Sequence, residues 1–202
     1  PRSTLFPYTT LFRSAYMRVR GIKPIFSKDT LKLAVAMAGV CTTFVAANKL
    51  TTAANAIVIQ YCAPVFVLLY IALVQKKKLR PLDIAVVPIT VLGVALCFVG
   101  QIGKGHLSGD IVAVISSVFF AGMFIFSEGV SEQTRTSGIM QGHFLTALIG
   151  LPVLIATHPT FTTTTILSIL VLGVFQIGIA NVLYSIALKN APLLTCSLLA
   201  VL

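Results

Sequence analysis

The stretch Thr51–Arg80 reads TTAANAIVIQ YCAPVFVLLY IALVQKKKLR, and its reading decides the fold. The run from Ala53 to Val74 carries no charge, and as one helix it would reach roughly 33 Å, enough to cross the hydrocarbon core of a bilayer. Lys76, Lys77, Lys78 and Arg80 end it abruptly. Inside the run stand Asn55, Gln60 and Pro64. In lipid an unpaired amide, or a carbonyl that a proline leaves without a donor, is costly, so this segment requires protein neighbours.

The rest of the chain supplies them. Of its 202 residues 57% are hydrophobic and 10% charged, with mean hydropathy +0.98. One soluble core could not hold that share of apolar side chains, so the expectation is an all-α, polytopic transmembrane bundle lying in a lipid bilayer. A net charge of +10 would suit nucleic acid. The Lys and Arg residues sit between apolar runs, however, where they mark loops on one face of a membrane, and a nucleic-acid partner is set aside. Cys41, Cys62, Cys97 and Cys196 fall inside apolar runs without paired spacing, which argues against a disulfide framework or a metal cluster. The reading therefore includes no cofactor and no metal.

Outward from the central stretch, the N-terminal residues Leu5–Ser14, LFPYTTLFRS, match the in-frame translation of a widely used sequencing adapter. Residues 1–14 are accordingly read as foreign and left out of fold reasoning. From Ala15 onward comes a basic juxtamembrane loop with Arg18, Arg20, Lys23, Lys28 and Lys32. Apolar runs follow at Leu33–Asn48, Ala53–Val74, Ile84–Val99, Ile111–Phe126, Met140–Ala156 and Ile166–Leu188, and a further one opens at Leu193. Short connections such as Lys104–Ser108 and Ser131–Gly138 separate them, as between antiparallel helices. Placing the first basic loop in the cytoplasm puts Lys76–Arg80, Arg135 and Lys189 inside, and leaves Lys49 and Lys104 outside, the positive-inside arrangement. Small residues recur at helical spacing, Ala34, Ala38, Thr42 and Ala46 in one run and Ala113, Ser117 and Ala121 in another. Such stripes let helix backbones approach closely in lipid, so they predict a tight bundle.

Sliding the chain against itself until Lys49 meets Lys189 also pairs Ala47 with Ala187 and Phe44 with Tyr184. The intervening runs are odd in number, so the two copies would face opposite sides of the membrane. Inverted repeats of this kind recur in transporters that alternate access to a central site.

The blocks Phe44, Ala47, Lys49 with Gln60-Tyr61-Cys62-Ala63-Pro64, the helix around Gly93 to Gly100, and Tyr184, Ala187–Ala191 with Ser197 resemble the paired signatures of EamA-type proteins in the drug/metabolite transporter superfamily. The resemblance implies ten helices in two inverted five-helix halves, and multi-pass insertion in a bacterial inner membrane, where members move small metabolites or drugs. It also implies that this chain is a truncated part of such a protein, covering helices three to eight and the opening of nine. Residues 15–130 would then hold the C-terminal part of the first repeat plus the first helix of the second, and residues 131–202 the truncated remainder of the second. One departure is that the family often carries an acidic residue after the proline-bearing helix, where this chain has Gln75 followed by lysines.

Transport needs side chains that bind a polar solute near the midplane without covalent chemistry. Gln60 and Asn181, deepest in their runs, are the leading candidates, with Asn55, Gln176 and His143 beside them and Gln141 near the start of its run. Each could equally form structural hydrogen bonds between helices. Pro64 is a candidate hinge or polar notch, or a tolerated kink. Glu128 and His143 are the titratable groups nearest the apolar runs and could couple solute movement to protons, although a hydrated Glu128 at the interface is the plainer reading. Two other classes stand against the permease or exporter reading. One is a non-transporting membrane scaffold or assembly subunit. The other is an intramembrane hydrolase built on Ser116 or Ser117 with His143, which no spacing singles out. A lipid carrier of flippase type within the same transporter superfamily is a third option.

Overall fold

The computed structural model describes residues 23–78, 106–157, 162–171 and 195–197, with scattered positions between 81 and 96. The elements are helices throughout: α1 (Lys28–Leu50), α2 (Ala53–Gln60), α3 (Ala63–Leu73), α4 (Leu107–Ser127), α5 (Glu132–Thr157) and α6 (Thr163–Val171). Four stretches among the described residues are long and apolar enough to cross a membrane, namely α1, the α2–α3 segment Ala53–Leu73, α4 and α5. The chain is an all-α, multi-pass membrane protein. It divides into two compact units, Pro1–Thr42 with Phe126–Asn190 and Thr43–Ile125 with Ala191–Leu202, so that α1 and α4 each contribute to both.

In the first unit α1 begins with a reciprocal cap. Thr30 N donates to Ser27 Oγ at 3.2 Å and Ser27 N donates to Thr30 Oγ1 at 2.8 Å, which satisfies two otherwise orphaned amides. The Lys32–Asp29 ion pair at 3.0 Å is exposed on both sides and adds little. Thr30, Leu33, Ala34, Met37 and Ala38 recur at helical spacing and are all buried. They meet α5 at two glycines. A Cβ on Gly138 would stand 2.6 Å from Leu33 Cβ, and one on Gly142 would stand 2.6 Å from Met37 Cβ and 2.9 Å from the Ala34 carbonyl oxygen. Nothing larger than hydrogen fits there, and the two backbones are drawn together.

The segment Ser131–Gly138 is not the connection expected from its polarity. It is helical from Glu132, because Ser131 caps it: Thr134 N donates to Ser131 Oγ at 3.1 Å and Arg135 N to the Ser131 carbonyl at 3.0 Å. The turn between α4 and α5 is thereby cut to residues 128–131, with Gly129 at φ +71° supplying the left-handed residue that ends α4. The polar first half of α5 is buried, whereas Phe144, Leu148, Ile149, Leu151, Val153 and Ile155 in its second half are exposed, the surface a helix presents to lipid.

In the second unit Ala47, Ala56, Ile59 and Ala113 form a small core, with Phe44 and Val112 packed on it. The expected stripe on α4 is buried at Ala113, Ser117 and Ala121. Gly109, in the first turn of α4, touches the α1–α2 turn so closely that a Cβ would lie 2.6 Å from backbone atoms of Leu50 and Thr51. Next to it Thr51 Oγ1 donates to Asp110 Oδ1 at 2.8 Å. The start of α4 is fixed to that turn by both packing and a charge-assisted bond.

Candidate solute-contact site

The apolar run Ala53–Val74 folds as two helices. Thr52 caps α2 by accepting from Asn55 N at 3.2 Å. At the other end the helix tightens, with Tyr61 N donating to the Ile57 and Val58 carbonyls and Cys62 N to the Ile59 carbonyl at 3.0 Å. After the Tyr61–Cys62 turn α3 begins at Ala63, with Pro64 in its first turn. There the missing N–H costs nothing, since the first amides of a helix have no intrahelical partner. In an uninterrupted helix the same proline would leave the Gln60 carbonyl without its donor. Pro64 therefore starts a second helix, and the interruption falls part-way along a membrane-spanning stretch.

Gln60, the last residue of α2, donates from Nε2 to Ser116 Oγ on α4 at 3.3 Å. Ser116 is fully buried and Gln60 half-buried. Asn55, one and a half turns earlier on α2, is 3% exposed, and its backbone N–H donates to Thr52 Oγ1. The break thus has two amides near it, Gln60 bonded to Ser116 and the buried Asn55. These groups can donate and accept hydrogen bonds without changing charge, which suits reversible contact with a polar solute better than covalent chemistry. The bond that Ser116 accepts comes from a carboxamide, which is no general base.

The remaining sequence candidates lie elsewhere or outside the described residues. His143 is buried on the face of α5 that carries Gly142 and Thr146, in the first unit. Gln141 donates from Nε2 to the Ile25 carbonyl at 2.7 Å, so its amide ties down a neighbouring segment of backbone. Gln176 and Asn181 lie outside the described residues. Glu128 is exposed just after α4.

Sequence reasoning passed over Arg135, which is 4% exposed and donates to the Ser127 carbonyl at 2.9 Å and the Val130 carbonyl at 3.3 Å. A guanidinium on the last carbonyl of α4 and on a carbonyl of the turn after it meets the negative end of that helix dipole, and each bond from a charged donor contributes about 1.5–3 kcal/mol. The signal that could have found it is a lone arginine just beyond a glycine helix stop. Close by in sequence, Ser127 Oγ and Thr136 Oγ1 are buried hydroxyls without a partner among the described residues. Leaving such a group unpaired costs about 1–3 kcal/mol.

Residues 107–202, which begin with α4 and include α5, match the EamA-like transporter family. They are similar to an EamA-like transporter domain. A protein of known crystal structure superposes with a TM-score of 0.75 over 99% of this chain and 74% of its own, at 19% identity, a likeness that speaks for the fold alone. Among curated proteins none matches. The similarity to a transporter family covers residues 107–202, and Ser116, the partner of Gln60, stands within them.

Proposed function

We propose that this protein is a multi-pass inner-membrane permease or exporter of small metabolites or drugs, working by alternating access between two inverted repeats. The match of residues 107–202 to a transporter family carries the proposal. The interruption of a membrane span at Tyr61–Cys62 supports it, because unwound positions in transporter helices are where solute groups find polar partners. On this reading Asn55 supplies a buried amide and Gln60 exchanges its bond to Ser116 for one to solute. Pro64 keeps the break open in every state, and Asn181, Gln176 and His143 are further candidates for solute contact. The solute is a small molecule with hydrogen-bonding groups, and its movement is coupled to protons or to its own gradient.

The test is accumulation of ethidium and of radiolabelled amino acids in bacteria that express the complete reading frame and lack their own exporters. Expression changes the steady level of at least one probe. Asn55→Ala or Gln60→Ala reduces that flux about tenfold, the worth of one lost hydrogen bond of about 1.4 kcal/mol, while membrane insertion is unchanged. No flux of any probe through correctly inserted protein would sink the reading. The scaffold alternative has one observation in its favour, the closed Gln60–Ser116 pair. It fails as soon as any probe moves.

A further inference from the structure

On α5, Gln133, Ser137 and Gln141 are spaced by four residues and lie along one face. All three bond to the backbone of the extended segment that precedes α1. Gln133 Nε2 donates to the Lys23 carbonyl at 2.9 Å, Ile25 N donates to Ser137 Oγ at 3.2 Å, and Gln141 Nε2 donates to the Ile25 carbonyl at 2.7 Å. The side chains of the segment contribute little, since Lys23, Pro24, Phe26 and Ser27 are exposed and Ile25 is half-buried. We propose that Lys23–Phe26 is a removable strap, hinged at the Ser27 cap of α1, which closes the buried polar end of α5 when its three backbone bonds are made and admits water there when they break.

Two contrasts carry this. The neighbouring α1–α5 contact rests on Gly138 and Gly142 with buried apolar partners, so separating it means exposing Leu33 and Met37. The strap can leave while that contact holds, because what it exposes is already polar or already wet. Segments with few buried apolar contacts and hydrogen bonds near solvent are the ones that open first. The second contrast lies in what the strap closes. The turns of α5 it covers hold Arg135, Thr136 and Ser137, all buried, and Ser137 Oγ touches the strap directly. Thr136 Oγ1 and Ser127 Oγ have no partner among the described residues. Water entering at this end would satisfy such hydroxyls, so the closed state holds an unfavourable element that the open state relieves. The strap does not require the transport reading, since it can lift in a scaffold; in a transporter it is where one membrane face closes.

Hydrogen exchange on the unmodified chain in lipid nanodiscs tests it first. Amides of the Lys23–Phe26 fragment exchange at least about a hundredfold faster than those of the α1 fragment around Leu33–Met37, and equal protection overturns the strap. A second measurement uses Ser137→Cys in a background whose native cysteines are alanine. Adding Gln133→Glu and Gln141→Glu preserves shape but turns two donors into carboxylates facing carbonyl oxygens. Maleimide labelling of the thiol then quickens about tenfold or more, the effect of weakening bonds of this class. Labelling at the same rate with and without those substitutions also overturns it. Should the substituted chain fail to fold, the exchange result on the unmodified chain decides alone.

Discussion

The α1–α5 contact of the first unit and the α2–α3 break of the second solve opposite problems in the same solvent. The contact removes every side-chain atom at Gly138 and Gly142 so that two continuous helices touch at their backbones. The break interrupts a helix and leaves a backbone turn with an amide at Gln60 beside it. Lipid offers neither hydrophobic drive between helices nor water for a free carbonyl, so close packing and satisfied polar groups are the two available ways to hold a bundle. The lesson is that the glycine contact is built to stay and the break to exchange partners, and substitutions at the two should differ in both size and kind.

The largest effect is expected at the contact. Gly142→Ala places a methyl 2.6 Å from Met37 Cβ and 2.9 Å from the Ala34 carbonyl oxygen, and a backbone atom yields far less than a side-chain tip. The cost is about 3 kcal/mol, at the upper end for overpacking, and thermal unfolding in detergent shows it as a large drop in midpoint with no solute present. A loss of less than about 1 kcal/mol would mean that the helices part easily, and the contact would no longer differ from the break.

The middle effect is expected at the break and is of another kind. Gln60→Leu removes one neutral side-chain bond at 3.3 Å, worth about 1 kcal/mol, while its apolar bulk suits the surroundings. Unfolding should hardly change, yet flux of any transported probe should fall about tenfold, by the same conversion used for the amides above. Equal losses of stability and flux would make Gln60 a structural pin and remove the distinction between the two regions.

Their legibility in the sequence differs as well. Pro64 within an apolar run left a hinge, a notch or a tolerated kink open, and of the small-residue stripes Ala34, Ala38, Ala113, Ser117 and Ala121 are buried in the structure, while Thr42 and Ala46 are half-buried. Hydropathy located these elements because apolar length is what a bilayer demands. It failed at Glu132–Gly138, where a polar segment reads as loop although it is a buried helix that carries half of the glycine contact. Burial by protein instead of lipid leaves no hydropathy signal. The bonds from Gln133, Ser137 and Gln141 were invisible for a related reason: they address backbone atoms, which every sequence has. Of the candidate site, Gln60 was visible as a deep amide, but its partner Ser116 could be found only once α2 and α4 were placed side by side.

The smallest effect sharpens the comparison from the far end of the break. α3 runs out at Leu73, and its last turn widens, with Gln75 N donating to the Tyr70 carbonyl at 3.2 Å and Lys77 N to the Ile71 carbonyl at 3.3 Å. That closure requires Lys76 at φ +50°, the left-handed region that suits glycine. A side chain there costs about 1–2 kcal/mol, and glycine gives back about 0.5–1 kcal/mol through its larger loss of freedom on folding. Lys76→Gly should therefore stabilise the chain by about 0.5 kcal/mol, seen as a small rise in unfolding midpoint. Loss of stability instead would mean that the Lys76 ammonium does more at the membrane surface than the backbone loses, and α3 would then be anchored by charge at one end while it is left free at the other.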